Sequence, residues 1–319
     1  MKFVKHLMLA TAGVALAVSG AVADDYPSKT IEVVTHAGAG GGTDVNSRMM
    51  MLRSRRVLKT DMVVVNKRGG KGALAMNYFK SRPADGYTIM TFTSGHALTM
   101  ALGKTELKPE DMRPIARGTN DPQILMVNCK TSPYKNSDEF LAGVRANKLK
   151  FGTTFIGGLD HITAYVFAKE AGAIQPDIVP FKGGGELATQ LVAGSIDVGV
   201  LNLSEASAQI EAGDICPMVV LDDKRMAPIP DTKTAIEMGV NAKFATVRGF
   251  VTHAAVDDAK AEVLEKGLLK AMDHAIYQAY LETSGLDSTS VLGAEEWGKQ
   301  IQDLLAALVP AAKEMGLAK

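Results

Sequence analysis

The stretch IEVVTHAGAGGGTD, Ile31 to Asp44, decides how this chain folds. A β-branched run, Ile31-Glu32-Val33-Val34-Thr35, feeds a loop with glycines at 38, 40, 41 and 42. Thr43-Asp44 offers an N-cap, and a helical pattern begins at Val45. A strand–loop–helix turn of this kind aims free backbone N–H groups and the positive end of a helix at one point. Anions bind at such points without a cationic side chain, so the turn reads as an anion site, for a phosphate or a carboxylate.

Outward from this turn, the same grammar repeats. Strand-like runs are expected at Ile31–His36, Met62–Asn66, Thr88–Thr93, Ile124–Asn128, Leu149–Thr154, Asp177–Phe181, Val198–Asn202, Pro217–Leu221 and Val247–Thr252. Helical patterns lie between them, among them Val45–Leu58, Leu74–Ser81, Ser137–Asn147, Asp160–Ala171, Glu186–Ala193 and Glu205–Glu211. Strands separated by single helices predict an α/β fold with parallel-rich sheets, which bind ligands at the carboxyl ends of their strands. Met112 to Pro122, with prolines at 114 and 122, reads as an irregular connection, and Asp257 to Leu317 as a helical tail without a sheet of its own. The economical solution is two lobes with two hinge crossovers. Residues 24–120 and 251–319 form lobe one, covered by the tail, and residues 121–250 form lobe two. Two further glycine turns, Phe151 to His161 and Phe181 to Glu186, place helix starts in lobe two, facing the first turn across a cleft.

Residues 1–23 carry Lys2 and Lys5, an apolar run from Leu7 to Val18 and the ending Ala21-Val22-Ala23. This is the pattern of a secretory signal peptide cut near Ala23, and the apolar run is short of the ~20 residues a membrane span needs. Basic and acidic residues number 35 each; without Lys2 and Lys5 they stand at 33 against 35, a net charge of −2. No basic face for nucleic acid is implied. Cys129 and Cys216 sit beside apolar β-like runs, which fits both a disulfide in an exported protein and two buried thiols.

The chain carries few marks of reaction chemistry. From Gly38 the pattern is G-x-G-x-x-T, lacking the third glycine of the dinucleotide fingerprint, and no phosphate loop of the G-x-x-x-x-G-K-[ST] type occurs. Ser94, in Phe92-Thr93-Ser94-Gly95-His96, lacks the first glycine of a nucleophile elbow. The six histidines show no metal spacing. Arg117 and Arg248 fall at the two crossovers, where either one can meet a ligand carboxylate or a structural partner; structural pairing is the commoner fate of such residues. No catalytic residue, metal or cofactor is expected.

With these residues laid out, the chain resembles the substrate-binding proteins of tripartite tricarboxylate transporters, the TctC-like or Bug family of bacterial periplasmic receptors. The marks are Tyr26-Pro27-Ser28-Lys29, Gly40 to Asp44, Val64 to Arg68, Pro83 to Thr88, Gly157 to His161, Val179 to Gly183 and Ala193 to Asp197, in that order across nearly the whole chain. The resemblance implies a two-lobed, type II-like Venus-flytrap fold. It also implies a small carboxylated organic solute, a di- or tricarboxylate or an aromatic acid, held between the lobes of a monomer. Integral membrane transporter subunits, one large and one small, are its implied partners, with docking on a sensor kinase as an alternative role and a periplasmic enzyme as a more distant one. Carried onto this sequence, the carboxylate-holding turn is Gly41, Gly42, Thr43 and Asp44. Ser94 and Gly95 follow the third strand, Thr154, Phe155, Gly157, Asp160 and His161 form the lobe-two turn, and Asn202 ends a strand with polar contacts. Relatives often place Pro-Phe-Pro-Pro before the glycines where this chain has His36-Ala37-Gly38-Ala39; His36 and Ala37 are therefore expected to set ligand choice in a roomier or more polar pocket.

Overall fold

The computed structural model describes residues 26–40 and 42–318; the expected signal peptide and Gly41 lie outside the described residues. In chain order the elements are β1 (Ile31–Thr35), α1 (Gly42–Met50), α2 (Ser54–Leu58), β2 (Met62–Asn66), α3 (Ala73–Lys80), β3 (Thr88–Thr93), α4 (Ser94–Ala101) and β4 (Met112–Asn128). Then follow α5 (Ser137–Ala146), β5 (Lys150–Thr154), α6 (Leu159–Glu170), β6 (Asp177–Phe181), α7 (Gly184–Val192), β7 (Val198–Asn202), α8 (Leu203–Glu211) and β8 (Ile215–Val220). The chain ends with β9 (Ala245–His253), α9 (Asp258–Met272), α10 (Ala275–Thr283) and α11 (Ala294–Glu314).

The strands form two half-sheets of the same design. One runs β2-β1-β3-β9-β4 and the other β6-β5-β7-β4-β8. In each, three strands are parallel and the fourth position is taken by an antiparallel strand, β9 in the first and the end of β4 in the second. Both half-sheets are packed on both faces, which is why strands such as IEVVT and VGVLN read as almost unbroken apolar runs. This is a two-lobed, parallel-rich α/β fold of the periplasmic-binding-protein kind.

Four expectations of local structure change. Met112–Pro122 is the first part of a continuous strand, because its prolines stand where the ladder is interrupted: the β4–β9 register shifts between Pro114 and Ala116 and again between Arg117 and Thr119. Pro122 is the last residue paired to β9, and from Gln123 onward β4 pairs with β7. The pattern Val45–Leu58 is two helices, α1 and α2. Helix α1 begins at Gly42, so Asp44 lies inside its first turn instead of capping it. Finally, α11 does more than cover the first half-sheet: Trp297 packs beneath Phe92 and donates to the Phe250 carbonyl at 3.2 Å, while Glu314 meets Lys169 and Tyr165 of α6.

Cys129 and Cys216 form a disulfide that ties the end of β4 to β8. Among the described residues no helix is long and apolar enough to cross a membrane.

Candidate functional site

The carboxyl ends of β3 and β7 meet the two crossover strands, with β1 and β5 beside them. In the register there, Thr93 of β3 stands beside Arg248 of β9, Arg248 beside Thr119 of β4, and Gln123 of β4 beside Asn202 of β7. The three glycine turns after β1, β5 and β6 each hold a carboxylate that belongs to the chain.

In the first turn the buried Asp44 carboxylate accepts the Gly40 N–H at 2.9 Å, Arg48 Nε at 3.0 Å, Arg48 Nη2 at 3.1 Å and Asn66 Nδ2 at 2.8 Å. The Arg48 guanidinium, with Asn66 and Gly40, holds this carboxyl down to about 2 against the effect of burial. Asn66 also donates to the Ala37 carbonyl at 2.9 Å, fixing the loop that precedes the glycines. In the second turn Asp160 accepts from the Thr154 N–H at 2.9 Å, from the Thr154 hydroxyl and from the Gln123 amide. Burial nevertheless pushes its carboxyl above the ordinary range. Phe155, in the left-handed region at φ 55°, and Ile156 are exposed on the lip of this turn. Beyond them the Gly157 N–H donates to His161 Nδ1 at 2.9 Å, so neutral His161 carries its proton on Nε2. In the third turn Lys182 N–H donates to Glu186 at 3.0 Å, and the Glu205 carboxylate packs so closely on Gly184 that a Cβ there would overlap it.

Other expected site residues are occupied structurally. Ser94 is buried; its hydroxyl donates to the Ala245 carbonyl at 2.6 Å and accepts the Val247 N–H at 2.9 Å, pinning α4 to β9. Gly95 beside it is exposed. Asn202 donates to the carbonyls of Asp121 and Pro122 at 2.8 and 3.1 Å and accepts the Thr246 hydroxyl at 3.1 Å, so it staples both crossovers. His36 is half-buried at the exit of β1, its ring edge-on to that of buried His96 with centroids 4.4 Å apart. His96 Nδ1 takes the Thr93 N–H, and its Nε2 and His36 Nδ1 meet no partner. Both imidazoles are held below the ordinary range, His36 by burial and by Arg248, His96 by burial and by His36. Gly42 and Thr43 remain at the mouth of the first turn as the first residues of α1.

The two crossover arginines, alike in sequence, differ completely. Arg117 is buried and saturated, donating to Ser290 and Thr289 carbonyls at 2.8 and 2.9 Å and to Gln300 at 2.5 Å. Desolvation lowers its guanidinium to about 10. Arg248 has no hydrogen-bond or ion-pair partner for its side chain among the described residues, and its Nε is shut off from solvent. Its charge bears on His36 from one half of the fold, on Glu205 from the other and on Asp121 between them. Alternation along β9 sends Val247 to the opposite face, where a cavity of about 1100 Å³ is lined by Arg117, Asn120, Asp222 and Gln300. Asn120 there bonds both Asp222 and Gln300, so that cavity's central polar groups are paired with one another. The unpaired cation lies on the face opposite that cavity. Sequence reasoning placed Arg248 at the crossover without choosing it, and passed over Asp121 and Glu205.

Residues 47–317 match the model of the TctC family, described as the tripartite tricarboxylate transporter family receptor. The chain belongs to the TctC family. It is a solute-binding receptor and not an enzyme. Among TctC-like relatives, a UPF0065 protein of Bordetella pertussis is 26% identical over 97% of this chain and 96% of its own length. A TctC solute-binding protein from Polaromonas, solved without ligand, superposes with a TM-score of 0.85 at 24% identity, over 91% of this chain and 99% of that one. MatC from Rhodopseudomonas palustris, solved with bound malate, superposes at 0.67 with 21% identity, over 90% and 99% of the two chains.

Proposed function

We propose that this TctC receptor is exported to the periplasm after loss of residues 1–23. There, as a monomer, it closes its lobes over a small carboxylate-bearing solute and delivers it to a transporter of one large and one small integral membrane subunit. In this reading residues 24–120 and 251–319 form one lobe and 121–250 the other, with crossovers at Pro122–Gln123 and Ala245–Val247. Arg248 is the observation that carries it: a guanidinium without a partner, at the junction of both lobes, in a cleft whose other anion-binding turns hold their own carboxylates. The solute carboxylate completes Arg248, with the amide groups of Gly42 and Thr43 on one side and the lip at Thr154, Phe155, Gly157 and His161 on the other. The malate bound by MatC supports a carboxylate as the solute class. Because contacts are made to both lobes at once, the solute favours the closed state over the open one.

A thermal-shift screen of mono-, di- and tricarboxylates and aromatic acids tests the class, since a ligand selective for the folded state raises its melting point. Arg248→Met should weaken binding of any hit by about 100-fold, the loss of a charge-assisted pair. Shifts produced by neutral solutes alone, or full affinity in Arg248→Met, would overturn the reading. Loss of uptake of the identified solute on gene deletion tests the transporter partnership.

A further inference from the structure

Building on the receptor reading above, we infer that the solute carries a hydrogen-bond donor, a hydroxyl or an ammonium group, on the carbon next to the carboxylate held by Arg248, and that Asp121 reads it. The register of the crossover ribbon sets the two side chains up. Asp121 lies opposite Thr246, Asn120 opposite Val247 and Thr119 opposite Arg248. Side chains alternate along each strand, so Asp121, Thr246 and Arg248 share the face toward the cleft, while Asn120 and Val247 line the cavity behind it. Asp121 and Arg248 are therefore diagonal neighbours, roughly 7–8 Å apart at the backbone and within mutual reach of a long side chain.

Yet they do not pair. No ion pair joins them, and both Asp121 Oδ1 and Arg248 Nε lack a partner and are out of contact with solvent. Leaving two opposite charges unjoined on one face costs free energy, and a molecule with complementary ends placed between them recovers it. Apart from the Thr119 hydroxyl, which is also buried without a partner, the other polar groups at this point are already engaged. The Asn202 amide holds the Asp121 and Pro122 carbonyls, the Thr246 hydroxyl is bonded to Asn202, and Glu205 accepts the Asn202 N–H at 2.9 Å. Asp44 and Asp160 are tied to their own turns. Asp121 is thus the carboxyl left to receive a donor, diagonal to the guanidinium that receives the acid. A 2-hydroxy or 2-amino acid presents those two groups on adjacent carbons. Burial pushes Asp121 up to about 7, consistent with a carboxyl that lacks the donor it is built to meet.

Calorimetric titration of the purified protein with succinate, malate and aspartate tests this, since the three differ only at the second carbon. Malate or aspartate should bind at least 10-fold more tightly than succinate, and Asp121→Ala should collapse that gap to less than 3-fold. Asp121→Asn keeps an acceptor without the charge, so it should retain a hydroxyl preference and lose an ammonium preference, an outcome that a purely structural role for Asp121 does not produce. Equal affinity for all three acids, a gap that persists in Asp121→Ala, or binding of none of them overturns the inference. The receptor reading is decided separately, by the wider acid panel and by Arg248→Met.

Discussion

Arg117 and Arg248 stand on neighbouring strands, and their opposite fates show where stability ends and function begins. Arg117 donates to two segments, so Arg117→Met leaves the Ser290 and Thr289 carbonyls and the Gln300 amide oxygen without a donor. It should cost about 3 kcal/mol in denaturant unfolding. Arg248→Met removes a partly buried, unpaired charge and should leave the ligand-free melting temperature unchanged or raise it, the usual trade between stability and a binding site. A lower melting temperature in Arg248→Met would mean that the residue is structural. Asp121 makes a second prediction at this scale. Its folded-state carboxyl lies near 7, above the ordinary value of 3.8, so its contribution to stability is complete below about pH 4 and is lost as pH rises through 7. Asp121→Asn should therefore gain in melting temperature relative to wild type between pH 5 and pH 8; a constant difference across that range would refute the assignment.

Among the elements, the three glycine turns were legible in the sequence as strand–turn–helix units, but what they bind was not. Glycine and a following helical pattern are local signals. The carboxylates that settle into those turns come from one helical turn downstream in Asp44 and Asp160, and from the next βα unit in Glu205, whose position over Gly184 depends on how α8 packs beside α7. Helix α1 starting at Gly42 rather than Val45 is the clearest case: three extra residues of helix carry Asp44 from cap to turn filler. The opposite case is Met112–Pro122, where prolines read as breaks in a segment that is a strand. They are accommodated because bulges and a change of partner remove the need for their missing N–H groups. The disulfide belongs to this scale too. It closes a separation of 87 residues between β4 and β8, and Cys129→Ser with Cys216→Ser should cost about 4.6 kcal/mol by loop-closure entropy. A double variant as stable as wild type in urea titration would rule that out.

For the molecule as a whole, α11 joins the two halves on one side and the cleft separates them on the other. The apolar cluster that includes α11 residues also takes in Phe92 and Val251 from the first half-sheet, Val198 from the second, and Phe140 and Phe167 from helices α5 and α6 that pack on it, so that side of the hinge is held by packing. The clasp at Glu314, made to exposed Lys169 and half-buried Tyr165, adds little, because solvent screens it. Motion is therefore left to twisting of β4 and β9 where their partners change, at Pro122–Gln123 and Ala245–Val247. A saturating carboxylate ligand should reduce the radius of gyration measured by small-angle scattering, and Arg248→Met should abolish the change at the same ligand concentration. An unchanged scattering curve with bound ligand would place the solute elsewhere than between the lobes.

By itself the sequence determined the α/β repeat, the two half-sheets, the glycine turns and the presence of an arginine at each crossover, because these follow from periodicities of two and 3.6 residues and from turn chemistry within a dozen positions. Only the tertiary structure decided which charges cancel. Asp44, Asp160 and Glu205 fold onto their turns, Arg117 is enclosed by segments more than 170 residues away, and Arg248 is left without a partner facing Asp121. Charge pairing acts over a few ångströms in space, and strand register between distant parts of the chain sets those distances.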